Sequence, residues 1–161
     1  MSAQARKYLV VATGGTFDSL HDGHKALLSR SFEVGERVVI GVTSDSFARK
    51  EGKSPGQTYG ERVERLKRYL DSSFPGRKYL IAKLDGFFGP GIASAEVEAI
   101  VVSRETASRV SLANRLRAAK GFPPLQVVTV EFVLAEDGKP ISSTRIRDGM
   151  IDAAGRALKS R

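Results

Sequence analysis

Apolar residues along the chain fall into short β-branched runs separated by stretches of helical spacing. KYLVVA (Lys7 to Ala12) and RVVIGVT (Arg37 to Thr43) read as strands, and between them Ala26, Leu27, Arg30, Ser31 and Val34 follow a helical repeat rather than strict alternation. That is a β-α-β unit. The pattern continues with a helix near Gly60 to Leu70, strands at Tyr79 to Leu84 and Ala99 to Ser103, a helix at Thr106 to Lys120 closed by Gly121, and a strand at Leu125 to Val133. AIVVS and LQVVTVEFV are nearly continuous apolar runs, as expected of strands buried on both faces. A turn then leads into a short helix opened by Ser142, Ser143 and Thr144. The alternation predicts an α/β fold: a Rossmann-like parallel sheet with helices on both faces, in a single domain over residues 1–161. The stretch KEGKSPGQTY, Lys50 to Tyr59, is rich in Gly, Pro and Ser and is expected to be a mobile loop.

Composition narrows the class. At 161 residues one core suffices, burying about 70% of the unfolded surface. No apolar stretch approaches the ~20 residues of a membrane span, and MSAQARKYLVV lacks the apolar region and cleavage site of a secretory signal, so a cytoplasmic protein is expected. With no cysteine, disulfides and thiolate chemistry are excluded. The excess of 26 basic over 18 acidic residues, net +8, suits a polyanionic partner, either nucleic acid or a phosphorylated small molecule. Arg62, Arg65 and Arg68, beside Glu61 and Glu64, read as an exposed, charged helix face.

Open parallel sheets bind ligands at the carboxyl ends of their strands, where the strand order reverses. The first strand ends at GGTFDSLHDGH, which holds both histidines of the chain, His21 and His24. Gly14 and Gly15 would permit a tight turn, and Gly23 would let a ligand approach a helix start whose free N–H groups and dipole favour an anion. Three readings are open: zinc ligation by the histidines with Asp18 or Asp22, simple capping of the helix by Asp22, or phosphate binding. The glycine spacing matches neither a P-loop nor GxGxxG. A second anion-binding pattern, ISSTRIR (Ile141 to Arg147), places three hydroxyl residues and two arginines at another helix start.

Together, GGTFDSLHDGH and ISSTRIR resemble the HxGH and ISxTxxR motifs of the nucleotidyltransferase superfamily. VVSRETA, NRLRAAKGFPPLQVVTV and AEDGKPISSTRIRDGMID narrow the resemblance to archaeal-type phosphopantetheine adenylyltransferases, over nearly all of Tyr8 to Gly155. The resemblance implies transfer of AMP from ATP to 4'-phosphopantetheine, giving dephospho-coenzyme A and pyrophosphate. Relatives that adenylylate nicotinamide mononucleotide or flavin mononucleotide carry similar motifs, and these acceptors remain alternatives. A basic nucleic-acid-binding module is the non-enzymatic alternative, although the chain lacks the interleaved surface aromatics of single-strand binding.

The resemblance also implies roles. His24 would contact the α-phosphate and transition state, and His21 the triphosphate nearby. Gly15, Thr16, Phe17 and Gly23 would form the turn around the phosphates, while Ser142, Ser143, Thr144 and Arg147 would hold the β- and γ-phosphates. Thr16 and either Lys50 or Lys53 would meet the acceptor. Mg2+ would accompany ATP, with no protein ligand assigned. Arg147 rather than Arg145 occupies the arginine position of the motif, and residues two apart on a helix point about 200° apart. Asp18 is expected to fix the turn.

Overall fold

In the computed structural model, which describes residues 6–87, 89 and 93–158, five strands form one parallel sheet. The elements in chain order are β1 (Tyr8–Gly15), α1 (Asp22–Val34), β2 (Gly35–Thr43), α2 (Asp45–Lys50), α3 (Tyr59–Ser73), β3 (Lys78–Leu84), β4 (Ala99–Ser103), α4 (Arg104–Ala107), α5 (Val110–Ala119), β5 (Gln126–Val130) and α6 (Ser143–Arg147). The strand order is β3-β2-β1-β4-β5. Order reverses at β1, so the carboxyl end of β1 is the switch point at which such sheets take ligands.

Each face of the sheet carries its own core. On one, Val11, Val38, Ile40, Val42, Ala99 and Val101 pack with Leu28 and Phe32 of α1 and Leu66 and Leu70 of α3. On the other, Ala12, Ile100 and Val102 meet Val110 and Ala113 of α5 together with Leu125. Truncating a fully buried leucine such as Leu70 to Ala would cost ~2–5 kcal/mol. A third, smaller cluster of Ala135, Ile141 and Ile151 roots the carboxy-terminal segment that carries α6. The α1 helix passes into β2 without a loop at Gly35, where a Cβ would come within 2.6 Å of the Val11 side chain. Only glycine fits there.

Several expectations are corrected. The helix expected over Thr106 to Lys120 is two pieces, α4 and α5, with Gly121 ending the second in a left-handed conformation (φ 77°). The strand expected over Leu125 to Val133 is shorter, and as a sheet edge it leaves Val127 44% exposed rather than buried on both sides. Helix α2 was not anticipated, although Ser44 caps it by accepting from the Phe47 N–H at 3.1 Å. Nor is Arg62 exposed. It lies on one stripe of α3 with Leu66 and Leu70, at spacing i, i+4, i+8, and has no accessible surface, while Arg68 stays outside, paired with Glu64.

Candidate active site

The cap of helix α1 is His21, not Asp22. The His21 Nδ1 accepts from the backbone N–H groups of Gly23 (3.1 Å) and His24 (3.4 Å), and the His24 Nδ1 accepts from the His21 N–H (3.2 Å). This is a capping box built from two imidazoles. The rings stack with centroids 3.7 Å apart, and Phe17, buried beneath, lies 5.1 Å from His24. A Cβ at residue 23 would meet the His21 ring at 2.9 Å, so Gly23 makes room for the cap.

The arrangement fixes protonation. A ring nitrogen that accepts from an N–H carries no proton, so each neutral imidazole holds its proton on Nε2 and presents a donor there. Burial pulls the His21 pKa down to about 4, partly offset by the nearby Asp22 charge. Burial, then the proximity of His21 and Lys53, pulls that of His24 down to about 3. Both rings are therefore neutral donors at pH 7.

The helix N–H groups expected to be free are engaged. Gly23 and His24 donate to His21, Asp22 donates to the Ala153 carbonyl at 3.0 Å, and Lys25 to the His21 carbonyl at 3.0 Å. An anion at α1 would meet the two Nε2–H groups and the helix dipole, not backbone amides. At α6 the situation differs. Ser142 caps the helix by accepting from the Arg145 N–H at 3.2 Å, while the N–H groups of Ser143 and Thr144 have no hydrogen-bond partner among the described residues.

The turn between β1 and α1 is held by Asp18, 1% exposed. Its carboxylate accepts from Gly56 N–H (3.1 Å) and Gln57 N–H (3.2 Å) and pairs with Arg147, while its carbonyl accepts from the Ser143 hydroxyl. Asp18 thus joins both motifs and pins the segment expected to be a mobile loop. Its carboxylate is bonded to protein groups on both oxygens, in keeping with fixing the turn. The bend itself comes from Phe17 (φ 55°) and Ser19 (φ 48°), not from Gly14 or Gly15, whose φ values are ordinary. Left-handed non-glycine residues cost about 1–3 kcal/mol each and persist where the surroundings over-determine them.

Two cavities, each a little over 300 Å3, meet here. The first, about 330 Å3, is bordered by Gly15, Thr16, His21, Gly23, His24, Ser142, Ser143, Thr144 and Arg147. The second, about 320 Å3, lies between the ends of β2 and β4 against Thr43, Phe47, Leu84, Phe87 and Arg109. Gly14, Gly15, Thr16, Lys53, Glu105 and Thr106 border both. Of the anticipated residues, Lys50 and Phe17 border neither: Lys50 ends α2 facing solvent, and Phe17 is core. The two arginines of α6 diverge as geometry demands, Arg147 to Asp18 and Arg145 to Asp137 and the Pro140 carbonyl.

The residues Thr16 and Thr43 border the cavities, and their hydroxyl oxygens are buried without a hydrogen-bond partner. Sequence reasoning gave no role to Thr43 and Arg109, which no motif marked, to Glu105 and Thr106, which lie in VVSRETA, or to a buried Arg62, which the i, i+4, i+8 stripe with Leu66 and Leu70 signals. Among the described residues no group of three or more His, Cys, Asp or Glu is placed to hold a metal ion, and no helix is long and apolar enough to cross a membrane. A larger cavity of about 750 Å3 at the opposite end of the sheet is lined in part by charges already paired or bonded, as Arg37 with Glu96 and Arg77 with two backbone carbonyls.

Comparison with known proteins identifies the family. The family model for cytidylyltransferase-like proteins matches residues 12–149. The chain is 45% identical over 154 residues to a phosphopantetheine adenylyltransferase of Methanothermobacter thermautotrophicus, covering 96% of this chain and 92% of that protein. It is 44% identical over 146 residues to one from Methanopyrus kandleri, covering 91% and 92%. A crystal structure of a protein of unknown function from Archaeoglobus fulgidus superposes with a TM-score of 0.68 at 34% identity, over 76% of this chain and 88% of that one. The chain belongs to the cytidylyltransferase-like family, in the branch that holds the archaeal phosphopantetheine adenylyltransferases.

Proposed function

We propose that this chain transfers AMP from ATP to 4'-phosphopantetheine, releasing pyrophosphate and forming dephospho-coenzyme A. The observation that carries the reading, beside the kinship, is the pair of adjoining cavities with Gly14, Gly15, Thr16, Lys53, Glu105 and Thr106 as their common wall. Two anionic substrates must be aligned for in-line attack, and the stretch of shared wall made of glycine backbone and the Lys53 ammonium is where their reacting phosphates would meet.

In this reading the first cavity takes ATP. The triphosphate runs from the histidine pair to the start of α6, where Ser143 and Thr144 offer N–H groups and Arg147 a guanidinium, with Ser142 shaping the cap. The second cavity takes the acceptor, its largely neutral arm against Phe47, Leu84 and Phe87 and its phosphate toward Thr16 and Lys53. An acceptor phosphate oxygen forms a bond to the α-phosphorus as the bond to the β-phosphate oxygen breaks. A phosphate dianion needs no general base, so catalysis lies in placement and in stabilising charge as it grows on the α-phosphate. The Nε2–H donors of His24 and His21 supply that stabilisation. Mg2+ would accompany ATP and neutralise charge on the leaving pyrophosphate, with no protein ligand assigned to it. The reading is of a cytoplasmic enzyme of small molecules, without a nucleic-acid partner.

An acceptor screen tests it. With ATP and Mg2+, pyrophosphate release should depend on 4'-phosphopantetheine. Equal or faster release with nicotinamide mononucleotide or flavin mononucleotide would reassign the acceptor.

A further inference from the structure

Among the described residues Arg62 and Arg117 are the bulkiest side chains with no accessible surface, and the three nitrogens of Arg62 reach three separate segments. Nη1 donates to the Thr16 carbonyl at 2.7 Å, Nε to the Gln57 carbonyl at 3.2 Å, and Nη2 to the Asp45 carboxylate at 2.8 Å. The Asp45 carboxylate also accepts from the Tyr59 N–H at 3.2 Å, and the Arg62 guanidinium lies 5.8 Å from the Tyr59 ring centre. Burying a guanidinium is a poor way to stabilise a fold, because desolvation cancels much of the pairing, and an apolar residue on the Leu66–Leu70 stripe would pack as well. What an apolar residue lacks is a rigid fork that fixes three acceptors at set distances.

Those acceptors matter. The Thr16 carbonyl belongs to the peptide that leads into left-handed Phe17, so holding it sets the turn and the placement of Thr16, a residue that borders both cavities and whose hydroxyl is buried and unpartnered. Gln57 lies in the segment that brings Lys53 and Pro55 to the first cavity. Asp45 opens the helix that follows Thr43. We propose that Arg62 is a positioning residue for adenylyl transfer: it touches no substrate and acts through Thr16, fixing that residue at the junction of the two cavities. This inference rests on the reading of the junction as the reacting centre.

The test is a double-mutant cycle of Arg62→Lys and Thr16→Val, read by kcat, by the equilibrium dissociation constant of ATP and by thermal melting. Lysine keeps the charge but not the fork. Arg62→Lys should melt cooperatively, lose at least tenfold in kcat per folded molecule, and keep its ATP dissociation constant within about threefold. In the Thr16→Val background the same change should cost less than about threefold, because the group it positions is gone. An unchanged kcat with a lowered melting temperature, or additive losses, would leave Arg62 a purely structural residue and overturn the proposal. Should Arg62→Lys fail to fold, Asp45→Asn loosens the same guanidinium from a partner whose side chain is 40% exposed. It should lower kcat severalfold in wild type and not in Thr16→Val; equal effects in both overturn the proposal. The cycle uses whichever phosphate acceptor supports pyrophosphate release, so a wrong acceptor is read separately from a wrong role for Arg62.

Discussion

The histidine capping box makes a quantitative claim about acid stability. His21 Nδ1 accepts two backbone N–H groups and must stay unprotonated for the cap to hold, and burial lowers its pKa from 6.5 to about 4. A basic group whose folded pKa is depressed leaves stability unaffected above its unfolded value. As pH falls through 6.5 the unfolded chain takes up a proton that the folded chain refuses, and the loss grows until about pH 4, where the folded form also protonates. At pH 5 the loss from this group alone is 1.5 pH units at 1.36 kcal/mol each, about 2 kcal/mol. Asparagine caps helices as well as any residue and does not titrate. Urea unfolding at pH 7 and pH 5 should therefore show wild type losing about 2 kcal/mol more than His21→Asn over that interval. Equal losses in the two proteins would mean that the Nδ1 of His21 is not required as an acceptor, and the neutral-donor reasoning for the pair would fall with it.

Three other outcomes follow from the site. His24→Ala should lower kcat by roughly 10²- to 10³-fold, the scale for losing one preorganised donor, with a much smaller change in ATP affinity by calorimetry; parallel losses would make His24 a ground-state contact only. Arg147→Ala should weaken ATP binding at least tenfold, ~1.4 kcal/mol, while Arg145→Ala, whose guanidinium is turned to Asp137 and the Pro140 carbonyl, should stay within about threefold; the reverse ranking would contradict the orientation of α6. Lys53→Met should raise the KM for the acceptor tenfold or more and Lys50→Met should leave it within twofold, since only Lys53 borders the cavities; equal effects would break that distinction.

The sequence by itself determined what local pattern controls. Apolar periodicity set the alternation of strands and helices, hence the parallel sheet, because 2.0 and 3.6 repeats are properties of the adjacent chain. The local sequence also marked both candidate helix starts, since caps and glycines act within a few residues. Tertiary structure decided whatever depended on a partner distant in sequence. Arg62, Arg65 and Arg68 look alike along the chain, and only the rotation of α3 against the sheet buries the first and brings it to Thr16, 46 positions away. Asp18 meets Gly56 and Arg147 for the same reason, which turns an apparently mobile loop into a tethered wall. The choice of His21 rather than Asp22 as the cap was a matter of one residue, yet it consumed the backbone donors and left the two Nε2–H groups in their place. A buried polar group must find its partner wherever the fold puts one, and that requirement is written in space rather than in spacing along the chain.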